Sequence, residues 1–196
     1  MNSSKKNVVI TSAVRTAVGT FNGSLKNMQG HDLGSIVVKE VLKKSKLNDI
    51  DELIMGQVLT GGVGQNSARQ AAIQAGIPIE KTAYVINQVC GSGLRSVAAG
   101  YQSIMSNDVN TVVAGGQESM TNAPHTISFR NGKKLEESNL VDTIIKDGLW
   151  DAFNGYHMGI TAENVASKWQ ITRREQDEFA LSSQTKTERA QKDGKF

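Results

Sequence analysis

Reactive chemistry in this 196-residue chain centres on its only cysteine, Cys90, which stands directly before Gly91-Ser92-Gly93. Ahead of it, the first half of the Ala83–Leu94 stretch is apolar and β-branched, short enough for a buried strand. Behind it, Leu94, Val97, Ala98, Tyr101, Ile104 and Met105 recur at helical spacing and make one apolar face. The expected local structure is a strand, a tight glycine turn and a helix, with the thiol at the corner. The free N–H groups of a first helical turn, together with the helix dipole, stabilise a thiolate. The thiolate is the nucleophilic form, and the same donors can hold a developing oxyanion. Small residues at 91–93 let a substrate carbonyl approach the backbone. The logic is that of the serine elbow of hydrolases, with sulfur in place of oxygen. A free cysteine is also often a buried small hydrophobe, and residue type alone leaves both readings open.

The other candidates for proton chemistry are His31, His125 and His157. Histidine is the commonest acid–base side chain, yet a single histidine is more often a surface or satisfied core residue. His157 stands out because it lies in a Tyr-His-Met-Gly loop with no charge beside it. No two histidines stand at ligand spacing and none is near Cys90 in sequence, so no metal site is expected.

These residues need a scaffold, and composition limits its kind. Hydrophobic residues are 38% and charged residues 21% of the chain, which fits a globular protein and argues against disorder. No run approaches the length of a membrane span. The polar start, Met1–Asn7, followed by Val8-Val9-Ile10, is too short in its apolar part for a signal peptide. A single cysteine makes no internal disulfide, and a reducing cytoplasm is expected. The net charge of +3 is mild, and no Lys/Arg block is interleaved with aromatics, so nucleic acid is a poor partner.

Along the chain, Asn7–Val14 is expected to be a first strand. Asp32 can cap a helix whose apolar face is Leu33, Ile36, Val37 and Val41 and which ends near Lys43–Lys46. Leu53–Leu59 is expected as a second strand. The glycine-rich loop after it, Thr60–Gln65, lacks both the Lys-Ser/Thr and the G-x-G-x-x-G of a phosphate cradle and is read as a turn. Ser67–Ala75 is expected as a short helix ended by Gly76 and Pro78. The Cys90 corner and then a fourth strand, Thr111–Ala114, follow. Alternating strands and helices imply a mainly parallel sheet covered on both faces. Ligands of such sheets sit beyond the carboxyl ends of the strands, where Cys90 falls. After Gly116 the chain turns irregular, so a boundary is placed there, dividing 1–116 from 117–196. Lys133–Ser138, with Glu136-Glu137, is read as a charged, solvated stretch. Ile160–Trp169 is expected to be helical. Thr172-Arg173-Arg174-Glu175 is a capping box opening a helix to about Lys192, stopped by Gly194.

Four stretches, in order along the chain, carry a resemblance. They are Arg15–Gly19, Asn87–Leu94 (Asn-Gln-Val-Cys-Gly-Ser-Gly-Leu), Gly115–Met120 (Gly-Gly-Gln-Glu-Ser-Met) and Tyr156–Asn164 (Tyr-His-Met-Gly-Ile-Thr-Ala-Glu-Asn). Together they resemble the motifs of the thiolase family, most closely its biosynthetic type, over essentially the whole chain. The resemblance implies an α/β fold: a thiolase-like N-terminal half with a mainly parallel, mixed sheet covered by helices, and a partial irregular and helical loop domain over 117–196. It implies that Cys90 carries an acetyl group as a thioester, with its own N–H serving one oxyanion hole. It implies that His157 and Met158 line the pantetheine end of coenzyme A, with Leu149 in a coenzyme A-contacting region. Acetyl-CoA, acetoacetyl-CoA and coenzyme A would be substrates and products, with no separate cofactor. Members are dimers or dimers of dimers, and the loop domain takes part in tetramer contacts.

The family's glycine-flanked catalytic histidine, second cysteine and Asn-Glu-Ala-Phe motif are not in this sequence, and neither His125 nor His157 stands in the matching position. The chain therefore resembles the N-terminal half of a thiolase. Claisen condensation needs a nucleophile, a base to activate it and a base to remove a proton alpha to a thioester. This stretch supplies the first. The expected function is acetoacetyl-CoA formation or cleavage through acetyl-Cys90 as part of a longer chain. A non-catalytic coenzyme A-binding or interaction fragment is the alternative. A ketoacyl synthase also sets a cysteine at a helix start, but the Gly-Gly-Gln-Glu-Ser-Met and Tyr-His-Met-Gly stretches argue against it.

Overall fold

The computed structural model describes residues 7–47, 49–130, 132 and 139–195. The Lys133–Ser138 stretch and its glutamate pair lie outside the described residues, as do Met1–Lys6. The chain forms two compact units, Met1–Gly148 and Leu149–Phe196.

In the first unit α1 (Gly30–Ser45), β1 (Glu52–Gly56), α2 (Ser67–Ala75), β2 (Thr82–Ile86), α3 (Ser92–Met105) and β3 (Val112–Gly116) follow one another. The three strands form a parallel sheet in the order β2-β1-β3, with Gly56 opposite Ile86 on one side and Gly116 on the other. This is the α/β, parallel-sheet class expected from the alternation. A short antiparallel ribbon, β4 (His125–Thr126) with β5 (Val141–Asp142), follows. The second unit contains α4 (Met158–Trp169) and α5 (Arg173–Lys192).

The core lies between the sheet and the α1–α2 pair. Leu53 and Met55 of β1 are buried there with Val38 of α1 and Ala68, Ala71 and Ala72 of α2. The alanine face of α2 keeps its partner close: a Cβ on Gly34 of α1 would stand 3.3 Å from the Ala71 methyl. Alternation along β1 then turns Ile54 and Gly56 to the opposite face, where α3 sits.

Three expectations change. Asn7–Val14 is not a strand; Val9 and Ile10 are 73% and 81% exposed. A β-branched run still needs a ladder partner. Val8–Thr16 instead lines an open cavity of about 850 Å³ whose other walls include β3, Leu33 and Val37 of α1, and Leu94 and Val97 of α3. Second, the buried strand is β1, because it is central. β2, expected to be buried, is an edge strand with only partly covered side chains. Third, α3 buries Ser92, Ser96 and Gly100, while Leu94 is 78% and Tyr101 53% exposed. Contact distance decides this, since a Cβ at Gly100 would lie 2.9 Å from Val112 Cγ1. Only the small-residue face fits so near the sheet.

Local signals fare well elsewhere. Thr172 accepts a hydrogen bond from Glu175 N–H, and the Glu175 carboxylate accepts from Thr172 N–H at 2.7 Å, so the capping box opens α5 as expected. Gly194 takes φ +65° just beyond its end. In α1 the cap is shifted: Gln29 precedes the helix and Asp32 sits at its third position, accepting from Gln29 N–H at 2.9 Å. The residues after Gly116 return to the first unit. Ser119 Oγ donates to Met28 C=O (2.8 Å), and Asn122 Nδ2 donates to Lys26 and Met28 C=O (both 2.9 Å).

At the amino ends of the strands, Asp51 ties β1 to β3. Its Oδ2 accepts from Asn110 N–H (2.9 Å), Thr111 N–H (3.0 Å) and the Thr111 hydroxyl (3.1 Å). Lys81 lies 3.6 Å from its other oxygen. The Asn110 and Thr111 N–H groups, then the Thr111 hydroxyl and the Lys81 charge, hold this carboxyl below the usual aspartate value of 3.8. A depressed carboxylate adds stability above its unfolded value that is lost as pH falls through the folded one. Asp51→Asn is therefore expected to lower unfolding free energy by about 1 kcal/mol at neutral pH. The gap to the parent should close below the ordinary aspartate range. Urea unfolding of both chains across acidic pH reads it.

Candidate active site

Cys90 lies at the expected corner, exposed, between the end of β2 and the start of α3, at the carboxyl edge of the parallel sheet. The turn is tight. Gly91 N–H donates to Gln88 C=O and Ser92 N–H to Val89 C=O, both at 3.1 Å. These two donors are spent inside the turn, so the uncommitted amides of α3 begin at Gly93, one turn position later than a simple strand–helix junction supplies. Ser92 Oγ locks the same turn, accepting from Gln88 N–H (2.8 Å) and donating to Val89 C=O (2.6 Å). Asn87 Oδ1 accepts from Val89 N–H at 2.9 Å.

This turn forces Val89 to φ +48°, a left-handed conformation that costs a β-branched residue about 1–2 kcal/mol. Val89→Gly is expected to relieve the strain and raise stability by about 1 kcal/mol, net of glycine's greater unfolded-state freedom. Denaturant titration reads the change. Glycine here would also make the residue preceding Cys90 freer to move.

Glycines place the corner on the sheet. A Cβ on Gly56 would stand 2.4 Å from the Ser92 carbonyl carbon and 2.6 Å from Gly93 N; a Cβ on Gly116 would stand 3.4 Å from Gly93 Cα. The backbone of α3's first turn thus rests directly on β1 and β3. The fully buried Ser96 adds a tie, its Oγ 2.6 Å from Gly93 C=O and 2.7 Å from Gly115 C=O. Gly93 therefore serves helix–sheet contact, a task that its neighbourhood in sequence does not announce.

Below the corner, the segment after β1 bends over a buried amide cluster. Gln57 Oε1 accepts from Ser67 Oγ (2.6 Å) and Gln117 Nε2 (2.9 Å), and Gln57 Nε2 donates to Leu59 C=O (3.1 Å). The Glu118 carboxylate accepts from Val58 N–H (2.8 Å) and Leu59 N–H (3.3 Å). Burial pushes its carboxyl above the usual glutamate value, partly offset by those two N–H groups. Gln57, Ser67, Asn87 and Glu118 were not singled out from residue types. Asn87 and Glu118 lie in two of the four stretches that carry the resemblance, and Ser67 opens an expected helix, but residue types alone gave none of the four a role.

His157, Met158 and Leu149 belong to the second unit. His157 precedes α4 and its Nδ1 accepts from Gly159 N–H at 3.0 Å, which leaves the proton of a neutral ring on Nε2. Its backbone pairs with Trp150. The loop between them is held by Asp151, which accepts from Asn154 Nδ2 (3.0 Å) and from Asn154 and Phe153 N–H (both 2.8 Å). These bonds, Asn154's first, hold the Asp151 carboxyl below the usual range. Met158 is 38% exposed, and Leu149 is half-buried at the end of a short helical segment, Ile144–Leu149. Of the other histidines, His125 faces Asp142 across the β4–β5 ribbon at 4.0 Å, and His31 lies in the first turn of α1.

Fold and site together define a class: a parallel α/β half-domain that presents one cysteine on a glycine-packed elbow between strand and helix. Residues 8–196 match the family described as thiolase, N-terminal domain, and the chain belongs to that family. It is 58% identical over 195 residues to a Rhizobium meliloti protein named acetyl-CoA acetyltransferase, covering 98% of this chain and 50% of that one. A Paracoccus denitrificans protein of the same name is 57% identical over 190 residues (96% and 49%). A Rattus norvegicus protein named as the cytosolic acetyl-CoA acetyltransferase is 51% identical over 198 residues (100% and 50%). The chain spans about half the length of the curated relatives it matches.

Proposed function

We propose that the protein carrying this sequence is an acyltransferase that makes or cleaves acetoacetyl-CoA through an acetyl-Cys90 thioester. One observation carries the reading: the sole cysteine of the chain is exposed on a strained, glycine-packed elbow at the carboxyl edge of a parallel sheet. In the first half-reaction the Cys90 thiolate attacks the carbonyl of acetyl-CoA. The tetrahedral intermediate collapses with loss of the coenzyme A thiolate, which takes up the proton that Cys90 gave to a base. In the second, a carbon nucleophile formed by deprotonating another acetyl-CoA attacks the thioester and releases Cys90. The bases belong to the family's C-terminal half by resemblance. His157, Met158 and Leu149 are assigned to the coenzyme A side, where an imidazole held through Nδ1 by Gly159 N–H and two apolar side chains suit the pantetheine arm. Coenzyme A thioesters are substrates, and no further cofactor is invoked. The names of the relatives support the substrate class, and the rodent relative's name supports a cytosolic setting. A homodimer or homotetramer is proposed by the same resemblance, and sedimentation of the full natural chain checks it.

The test is intact-protein and peptide mass spectrometry after mixing the full natural chain with acetyl-CoA. One acetyl group on the Cys90 peptide is expected. A folded protein left unacetylated there would overturn the assignment.

A further inference from the structure

The Gly115–Met120 stretch holds a carboxylate to which the chemistry above gives no task. Glu118 faces no basic side chain among the described residues, and its two oxygens each take one backbone N–H, from Val58 and Leu59. The Leu59 N–H and the Val58 C=O belong to one planar trans peptide, so the Glu118 bond to Leu59 N–H orients the plane that carries the Val58 carbonyl. That carbonyl points the other way and accepts from Asn87 Nδ2 at 3.4 Å. Asn87 in turn uses Oδ1 to hold the N–H of Val89, the strained residue before Cys90. Three consecutive hydrogen-bonded links thus run from the carboxylate to Val89, the residue before Cys90.

We propose that Glu118 is a positioning residue for Cys90, acting through the Val58 peptide and the Asn87 side chain. It rests on the acyltransferase reading only for what Cys90 is positioned to do. A left-handed valine persists only while its surroundings over-determine it. Asn87 is the side chain that does so from the sheet side, and it is anchored on a peptide whose direction Glu118 sets. The buried Gln57 amide steadies the same bend from beneath, through Leu59 C=O.

A double-mutant cycle in the full natural chain tests it. Glu118→Gln keeps size but presents a donor to one of the two N–H groups. Asn87→Asp keeps the acceptor for Val89 N–H and removes the donor to Val58. The readout is the rate of Cys90 alkylation by iodoacetamide, followed on its own peptide by mass spectrometry, with acetyl transfer from acetyl-CoA measured in parallel. Each single variant is expected to slow alkylation about tenfold, and the double variant also about tenfold, where independent effects would multiply to about a hundredfold. In acetyl transfer the loss should fall on kcat, with KM for acetyl-CoA unchanged. An unaltered rate in Asn87→Asp, or singles that multiply, would overturn the proposal. Should Glu118→Gln not fold, Glu118→Asp, which keeps both acceptor oxygens on a shorter arm, takes its place in the cycle. A parent protein that is alkylated at Cys90 but never acetylated sinks the acyltransferase reading, while the alkylation rates still judge the relay.

Discussion

Cys90→Ala in the full natural chain is expected to lower acetoacetyl-CoA thiolysis by about 10⁴-fold or more, with the fold intact. Removing a covalent nucleophile takes away both half-reactions at once. Stability should barely change, since Cys90 is exposed and packs no core. Cys90→Ser should rescue little, because a hydroxyl is far less ionised than a thiol near neutrality. Steady-state thiolysis with a parallel thermal melt reads both arms. Retention of more than about a hundredth of the activity in a well-folded Cys90→Ala protein would exclude acetyl-Cys90 as the intermediate.

Gly56→Ala is expected to be the most damaging small substitution in the first unit. Its methyl would lie 2.4 Å from a backbone carbon of Ser92. Backbone cannot rotate aside as a side-chain end can, so either β1 or the start of α3 must shift. Overpacking of this sort costs about 3 kcal/mol. If the helix yields, the Cys90 turn moves with it, and a displacement of about 1 Å at a reacting group costs about a hundredfold in rate. Stability and acetylation should therefore fall together. Gly61→Ala is the control: it lies in the loop after the same strand, and a Cβ there meets nothing within 4 Å. Urea unfolding and the Cys90 acetylation rate compare the two. Equal behaviour of both variants would mean that α3 does not rest on Gly56 as described.

The fate of individual segments shows where local information ended. The α5 helix was legible from Thr172, Glu175 and Gly194, because caps and stops act within a turn of the residues that make them. The α2 helix and the strand–turn–helix around Cys90 were legible for the same reason. The Val8–Ile10 run was misleading: it has the side chains of a strand, but a strand exists only with a partner, and among the described residues a cavity, not a ladder, lies between this run and β3. The α3 face was also misleading. Helical period identifies an apolar stripe, yet which stripe meets the sheet depends on how near the sheet comes.

From residue order alone came the parallel α/β class, the helices with strong end signals, and a lone thiol at the corner where a strand gives way to a helix. Those features depend on periods of two and 3.6 residues and on turn chemistry, all contained in short windows. Only the tertiary structure decided that β1 is central, that Gly56, Gly93 and Gly116 bring α3 down on the sheet, and that Glu118 reaches the Cys90 turn through Val58 and Asn87. Those contacts join residues distant along the chain. The approach of one backbone to another is set by the packed whole, and no short window contains it.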